Sequence, residues 1–317
     1  MGKRIENAFA KGGANFEGIG STLEGFDVNP MMYEYVFEKA WNKSMDDDSW
    51  MAAWADRRAG KNDSEVRRAW KDLLDKTYVS TAQLGQGTLT NARPSLTGHG
   101  NWTTNPSISY NNKDLLRVWE TMLKSKENSR DSYCFDVVNV GRQVLGNYFG
   151  VVRDRFSQAY EKKDKEALQA QGKEMRELLK DLDMLLSAHK SFSLDQWLDA
   201  AGRMGKDEAE ASYYRKNARN LLTTWGTKRQ SLNDYANRSW SGLTDSYYRP
   251  RWEMFITDVC QSVDAGKDFD EKKFYEKVTD MEQAWVDSEY EPASTSAPNG
   301  VDTARRLMEK YKDRILK

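Results

Sequence analysis

Two cysteines, Cys134 and Cys260, and two histidines, His99 and His189, are too few in 317 residues to build the usual zinc clusters or a disulfide framework. Both cysteines sit in helical patterns and read as small apolar packing residues, with a bond between them left open. Proline is scarce too, six residues where about 16 would be ordinary, so long helices can run without interruption. Charge of one sign is also missing. With 48 Lys and Arg against 49 Asp and Glu, the net charge is −1, and no basic field exists to draw in nucleic acid or an anionic membrane. No apolar run reaches the roughly 20 residues of a membrane span, and Met1-Gly-Lys-Arg leads into charged sequence rather than a signal-peptide core. Hydrophobic residues amount to only 38% and charged ones to 31%, for a mean hydropathy of −0.85. Rings carry the burial instead: 11 Trp, 15 Tyr and 11 Phe.

Apolar residues recur at spacings of three and four along most of the chain, which predicts a mainly helical protein. Asn29 reads as an N-cap with Pro30 at the first helical position, opening a helix over about 30 to 42. Asp46, Asp47 and Asp48 suit the positive end of a second helix, which passes Trp50 and Trp54 and stops at Gly60. A third follows Asp63 to Tyr78. From 79 to 113 the composition turns to Ser, Thr, Asn and Gly, with Pro94 and Pro106, and no period survives; an irregular segment of that length needs a reason. Helices are then expected at about 113 to 125, 131 to 163, 165 to 188, 194 to 204, 207 to 224, 233 to 264, 271 to 289 and 302 to 315. The polar stretch 291 to 298 reads as a surface loop, and no repeat of fixed period is present.

The beginning differs. Residues 14 to 20, Ala-Asn-Phe-Glu-Gly-Ile-Gly, read as a short strand, followed by a loop to Asn29. A lone strand leaves its backbone unpaired, so the rest of its sheet is expected elsewhere and the chain reads as beginning inside a domain. Glu24 lies in the glycine-rich turn beyond that strand, the location where barrel enzymes keep catalytic groups; the plain alternative is an exposed loop acid. As a phosphate loop the stretch fails, because Gly18 and Gly20 lack the third glycine and no Gly-Lys-Ser/Thr follows. Asn101-Trp-Thr and Asn237-Arg-Ser match the glycosylation pattern but carry no weight without a secretory context. His99 reads as a solvated loop residue, His189 as a helix-end imidazolium, and 162 to 166 as a solvated helix junction.

Gly-Ile-Gly-Ser-Thr-Leu-Glu-Gly-Phe followed by Asn-Pro-Met-Met-Tyr-Glu-Tyr resembles the end of the catalytic barrel of the alpha-N-acetylglucosaminidases, the family 89 glycoside hydrolases. Collinear matches follow at Ala92-Arg-Pro-Ser-Leu96, at Leu178 to Leu186 and at Leu194 to Trp197. The densest runs from Asn217 through Trp225-Gly226 and Leu232-Asn-Asp-Tyr235 to Tyr247-Tyr-Arg-Pro-Arg-Trp252. The resemblance implies an all-helical array preceded by the last strand-loop-helix unit of an incomplete (β/α)8 barrel, with residues 1–44 in the barrel and 45–317 in the helical domain.

It further implies that Glu24 is the nucleophile of a retaining mechanism, which requires a second, protonated carboxyl about 5 to 5.5 Å away. In the family that acid lies on an earlier strand; Glu17 and Asp27 match no family acid. Trp225, Leu232 and Tyr235 match positions lining the sugar pocket, where rings stack on a pyranose C–H face; read without the resemblance, rings at helical spacing are core. The loop between Trp225 and Tyr235 is about one residue longer than in other members, which loosens the register of Leu232. Some members carry a pocket histidine before the Arg-Pro-Ser-Leu match. Gly85-Gln86-Gly87 stands there instead, and Gln86 can bond a sugar hydroxyl without changing charge. No cofactor is called for. The expected partners are a glycan ending in α-linked N-acetylglucosamine and an amino-terminal barrel portion, without which the chain should be inactive and expose apolar surface around residues 1 to 45. An extracytoplasmic location is implied by resemblance only. The alternative is a non-catalytic helical carbohydrate-binding or interaction protein that has lost the barrel.

Overall fold

A computed structural model describes residues 2–20, 29–78, 87–100, 106–126, 129–226, 233–289 and 298–317. The described residues hold twelve α-helices and no strand, apart from one isolated parallel bridge between Ser193 and Ser241. They form two compact units, Met1–Ala82 with Ser109–Tyr133, and Gln83–Ile108 with Cys134–Lys317.

The first unit contains α1 (Gly2–Lys11), α2 (Pro30–Trp41), α3 (Asp47–Ala59), α4 (Ser64–Asp72) and α5 (Asn112–Met122). The caps are those the sequence announces. Asn29 Oδ1 accepts from the Met31 amide at 3.1 Å ahead of Pro30, Asp46 from that of Ser49 at 2.7 Å, and Asp63 from those of Glu65 and Val66. Gly60 closes α3 at φ 70°, a left-handed backbone that suits glycine. A run of rings fills the interior: Tyr35 edge-on to Trp50 at 5.3 Å, Trp50 stacked on Trp54 at 5.8 Å, and Trp54 edge-on to Trp70 at 5.6 Å. On α2, Lys39 is buried and satisfied by the Met45 carbonyl at 3.0 Å, Asp47 at 3.1 Å and Glu6 at 3.1 Å.

Two expectations change here. Helix α1 was not foreseen. It is a short helix whose apolar Ile5 is buried, and Glu6 brings it to Lys39. Residues 14–20 form no strand: 13–15 make a 3-10 turn and 16–20 run without regular structure, because no strand among the described residues offers a hydrogen-bonding edge.

The second unit holds α6 (Asp131–Glu161, whose first three residues belong to the first unit), α7 (Lys165–Ser187), α8 (Leu194–Gly202), α9 (Glu208–Leu222), α10 (Arg249–Asp264), α11 (Glu271–Asp287) and α12 (Gly300–Leu316). The irregular segment finds its reason here. Leu89, Thr90, Asn91 and Ala92 are all buried, and their stretch runs through the core as one 3-10 turn, Leu89–Asn91, followed by irregular backbone. Its carbonyls accept from side chains: Arg153 to Ser95 and Gly98, both at 2.8 Å, Ser157 to Leu96 at 2.6 Å, Tyr275 to Pro94 at 3.0 Å and Trp252 to Thr90 at 3.0 Å. Thr88 lies so close to Gly146 of α6 that a Cβ there would meet its methyl carbon at 2.4 Å.

The expected helix from 233 to 264 starts only at 244, with a five-residue π turn preceding α10. Residues 233–243 cannot be helical, since Asp234, Asn237 and Gly242 have φ of 60°, 49° and 81°. His189 has a structural place just past the end of α7: it caps a 3-10 turn, its Nδ1 accepting from the Ser191 amide at 3.2 Å, and Phe135 and Phe192 flank the ring. No disulfide joins Cys134 and Cys260. Asn237 is buried, and its side-chain oxygen accepts from Asn91 at 3.0 Å, so it is no glycosylation site.

Candidate functional site

Four non-glycine residues have positive φ among the described residues, and three of them, Trp225, Asp234 and Asn237, fall within the connection from α9 to α10. A bulky residue held left-handed costs about 1–2 kcal/mol, and such strain gathers where a side chain must be aimed. Helix α9 ends by local bonding: Thr223 Oγ1 donates to the Arg219 carbonyl at 2.8 Å, and the Trp225 amide donates to that of Asn220 at 2.8 Å. Trp225 then turns out at φ 56°, where glycine would be usual, and Gly226 follows. The chain returns at Asp234, whose amide donates to the Thr223 carbonyl at 2.6 Å. The result sets the half-buried rings of Trp225 and Tyr235 against each other, centroids 5.2 Å apart and planes at 58°.

Beneath them lies a buried ion network. Arg251, fully buried, donates from Nη1 to Asp234 at 2.8 Å and to Glu282 at 2.9 Å, and from Nη2 to the Asn91 carbonyl at 2.8 Å. Its guanidinium also faces the rings of Tyr247 and Tyr248, at 4.7 and 5.1 Å. Glu282 takes Arg93 in a two-pronged pair and Asn233 at 3.2 Å. Asn91 donates to Asn237 at 3.0 Å and to Ser239 at 2.9 Å, tying the irregular segment to the same connection. Two arginines thus face two carboxylates, so the buried charges balance. Burial pushes the Asp234 carboxyl up to about 6 against the pull of Arg251. Desolvation works against the charge on Arg251, yet Asp234 and Glu282 hold its pKa above the ordinary range.

A half-buried carboxylate braces the far end. Asp183 on α7 accepts from the amides of Gly242 at 2.9 Å and Asp245 at 3.1 Å, and burial raises it to about 6 despite those bonds.

Of the five expected site residues, Trp225 and Tyr235 are brought together; Glu24, Leu232 and Gln86 lie outside the described residues. Arg93, Asp234, Arg251 and Glu282 were missed as site residues. Arg93 and Arg251 fall inside the matched Arg-Pro runs, but nothing local pairs them with acids at 234 and 282. Among the described residues no group of three or more His, Cys, Asp or Glu could hold a metal ion, and no helix is long and apolar enough to cross a membrane.

Comparison with known proteins places this geometry. The human alpha-N-acetylglucosaminidase is 32% identical over 299 residues, which is 93% of this chain and 40% of that protein. A family 89 glycoside hydrolase from Clostridium perfringens, solved with its substrate GlcNAc-alpha-1,4-galactose, superposes with a TM-score of 0.86 at 28% identity, over 98% of this chain and 37% of that one. The Clostridium perfringens family 89 enzyme in complex with PUGNAc gives a TM-score of 0.84 at 28% identity, over 97% and 37%. The chain therefore spans about two fifths of the length of these relatives. The profile of the alpha-N-acetylglucosaminidase C-terminal domain matches residues 50–310, and the chain belongs to that family.

Proposed function

We propose that the chain is the carboxyl-terminal part of a retaining α-N-acetylglucosaminidase acting on glycans that end in α-linked N-acetylglucosamine. The observation that best supports this reading is the half-buried Trp225 and Tyr235 pair, carried on left-handed backbone over a buried ion network in a chain of this family. The substrate in the solved Clostridium perfringens relative supports the sugar class. Residues 1–44 are the last strand and helix of the barrel, and 45–317 the helical domain. Residues 14–20 then become a strand only where neighbouring strands complete their hydrogen bonds.

In this mechanism Glu24 stays ionised and attacks the anomeric carbon, while a protonated carboxyl from elsewhere in the enzyme protonates the leaving oxygen. Trp225 and Tyr235 stack on the C–H face of the pyranose, Leu232 adds apolar contact, and the Gln86 amide bonds a hydroxyl. The 317-residue chain alone lacks the second carboxyl and does not turn over. Exposed apolar residues on α2, Trp41 at 90% and Phe37 at 40%, support a further portion of the enzyme packing there. By likeness to its relatives the enzyme works outside the cytoplasm.

The test is hydrolysis of an aryl α-N-acetylglucosaminide by the chain alone and by a fusion in which it replaces the matching C-terminal 37% of the Clostridium perfringens enzyme. The expected result is no turnover alone, turnover in the fusion, and its loss in Glu24→Gln with the fold retained. Activity surviving Glu24→Gln would refute the nucleophile. Sugar binding by the chain that depends on Trp225 while Glu24→Gln leaves the fusion active would favour the non-catalytic binding protein.

A further inference from the structure

The Trp225 and Tyr235 rings meet across a connection whose two ends differ in how they are held. The Trp225 end is fixed by α9 itself, through the hydrogen bond its amide donates to the Asn220 carbonyl. The Tyr235 end follows a left-handed Asp234 whose carboxylate reaches down to Arg251, fully buried and joined also to Glu282 and the Asn91 carbonyl. One guanidinium therefore ties the residue preceding Tyr235 to α11 and to the irregular segment. We propose that Arg251, acting through Asp234, is a positioning residue that sets Tyr235 against Trp225 and so fixes the spacing of the sugar-binding wall. The inference rests on the wall reading above for its functional half and on the structure alone for its positional half.

The physical case is one of anchoring. A left-handed Asp is tolerated more readily than most residues but is no minimum, so something must hold it there. The Thr223 carbonyl holds its amide at 2.6 Å, and Arg251 holds its side chain at 2.8 Å. A charge-assisted bond in a fully buried site resists displacement, since moving Asp234 away would strand a buried guanidinium beside a single remaining carboxylate. Tyr235, the next residue along, cannot shift while both bonds stand.

Substitutions at 234 separate anchoring from backbone strain. Glycine adopts φ 60° without cost but has no side chain for Arg251, whereas asparagine tolerates the same backbone and keeps an acceptor. The chain is labelled with fluorotryptophan, and the Trp225 resonance is assigned by its loss in Trp225→Phe. Tyr235→Leu, which removes the facing ring, is expected to move that resonance. Asp234→Gly is expected to move it in the same direction, as is Arg251→Met, while Asp234→Asn leaves it within the linewidth and the Trp285 resonance stays put in Asp234→Gly. A Trp225 resonance unmoved by Asp234→Gly, in a chain that still unfolds cooperatively, would overturn the proposal.

The functional half is read in the fusion described above. Asp234→Gly should raise KM by roughly tenfold, the equivalent of about 1.4 kcal/mol, with kcat changed far less, and Asp234→Asn should restore KM. A purely structural role would instead lower the active fraction, and so kcat, at constant KM. If the fluorine shifts occur but Trp225→Ala leaves KM unchanged, the wall reading falls while the positioning of the two rings stands.

Discussion

Glu282 is the residue on which the buried network depends most. It accepts from Arg93, Arg251 and Asn233 while itself 0% exposed. Removing it leaves two guanidiniums to share Asp234, and an uncompensated buried charge costs about 3–5 kcal/mol. Glu282→Ala should therefore lower the unfolding free energy by about that amount in urea titrations. Glu282→Gln, which keeps the shape, should still lose part of it, and a loss below about 1 kcal/mol for the alanine variant would show the network to be energetically idle. Asp183 makes the opposite case. Its folded pKa of about 6 stands above the ordinary 3.8, so the native state holds a proton that the unfolded state has released. Its contribution is complete below about pH 4 and is lost as the pH rises through 6, on the order of 2–3 kcal/mol. Asp183→Asn keeps an acceptor for the Gly242 and Asp245 amides and removes the charge. The variant should match the parent near pH 4 and exceed it in stability by pH 7.5, read as urea midpoints across that range; parallel curves would mean that Asp183 does not titrate there.

At the scale of elements, legibility followed the range of the interaction that decides each one. Helix starts were plain in the sequence because a cap bonds two or three residues ahead, as Asn29, Asp46 and Asp63 do. The stretch 233–243 looked helical by spacing, yet Asp234 answers to Arg251, Ser241 to Phe192 across an isolated bridge, and Gly242 to Asp183, all beyond any local window. The same holds for the site: Trp225 and Tyr235 were visible as rings in matched motifs, while the arginines and acids beneath them were separated by up to 189 residues along the chain. Helix α2 shows the converse, a surface whose pattern is apolar on more than one side. Its Met31 and Tyr35 face the interior, and Trp41 and Phe37 face out. Because Trp41 is 90% exposed, Trp41→Ser should leave stability within about 0.5 kcal/mol. It should also reduce concentration-dependent self-association in sedimentation experiments. Unchanged self-association would place the sticky surface elsewhere.

For the whole molecule, the second unit is discontinuous in sequence, and this sets which parts of the chain can be separated. Residues 83–108 belong with 134–317, although 109–133 belong with the first unit. The segment is no passenger, for its backbone supplies acceptors to Arg153, Ser157, Arg251, Trp252 and Tyr275, and Arg93 supplies half of the cover on Glu282. A fragment 134–317 keeps all seven helices α6 to α12 apart from the first turn of α6, so helix content alone would forecast a stable domain. Interior bonding forecasts the reverse. Each buried donor left without its acceptor costs about 1–3 kcal/mol. These losses, with Glu282 left to Arg251 and Asn233 alone, approach the 5–15 kcal/mol by which a domain is ordinarily stable. The fragment should show helical far-UV circular dichroism, weak near-UV signal and dye binding, the marks of helices without fixed packing. Co-expression with residues 83–108 should restore the near-UV signal, since the segment brings its acceptors back without needing the first unit. A fragment 134–317 that unfolds cooperatively on its own would mean that the helices define the core and that the irregular segment merely lies within it.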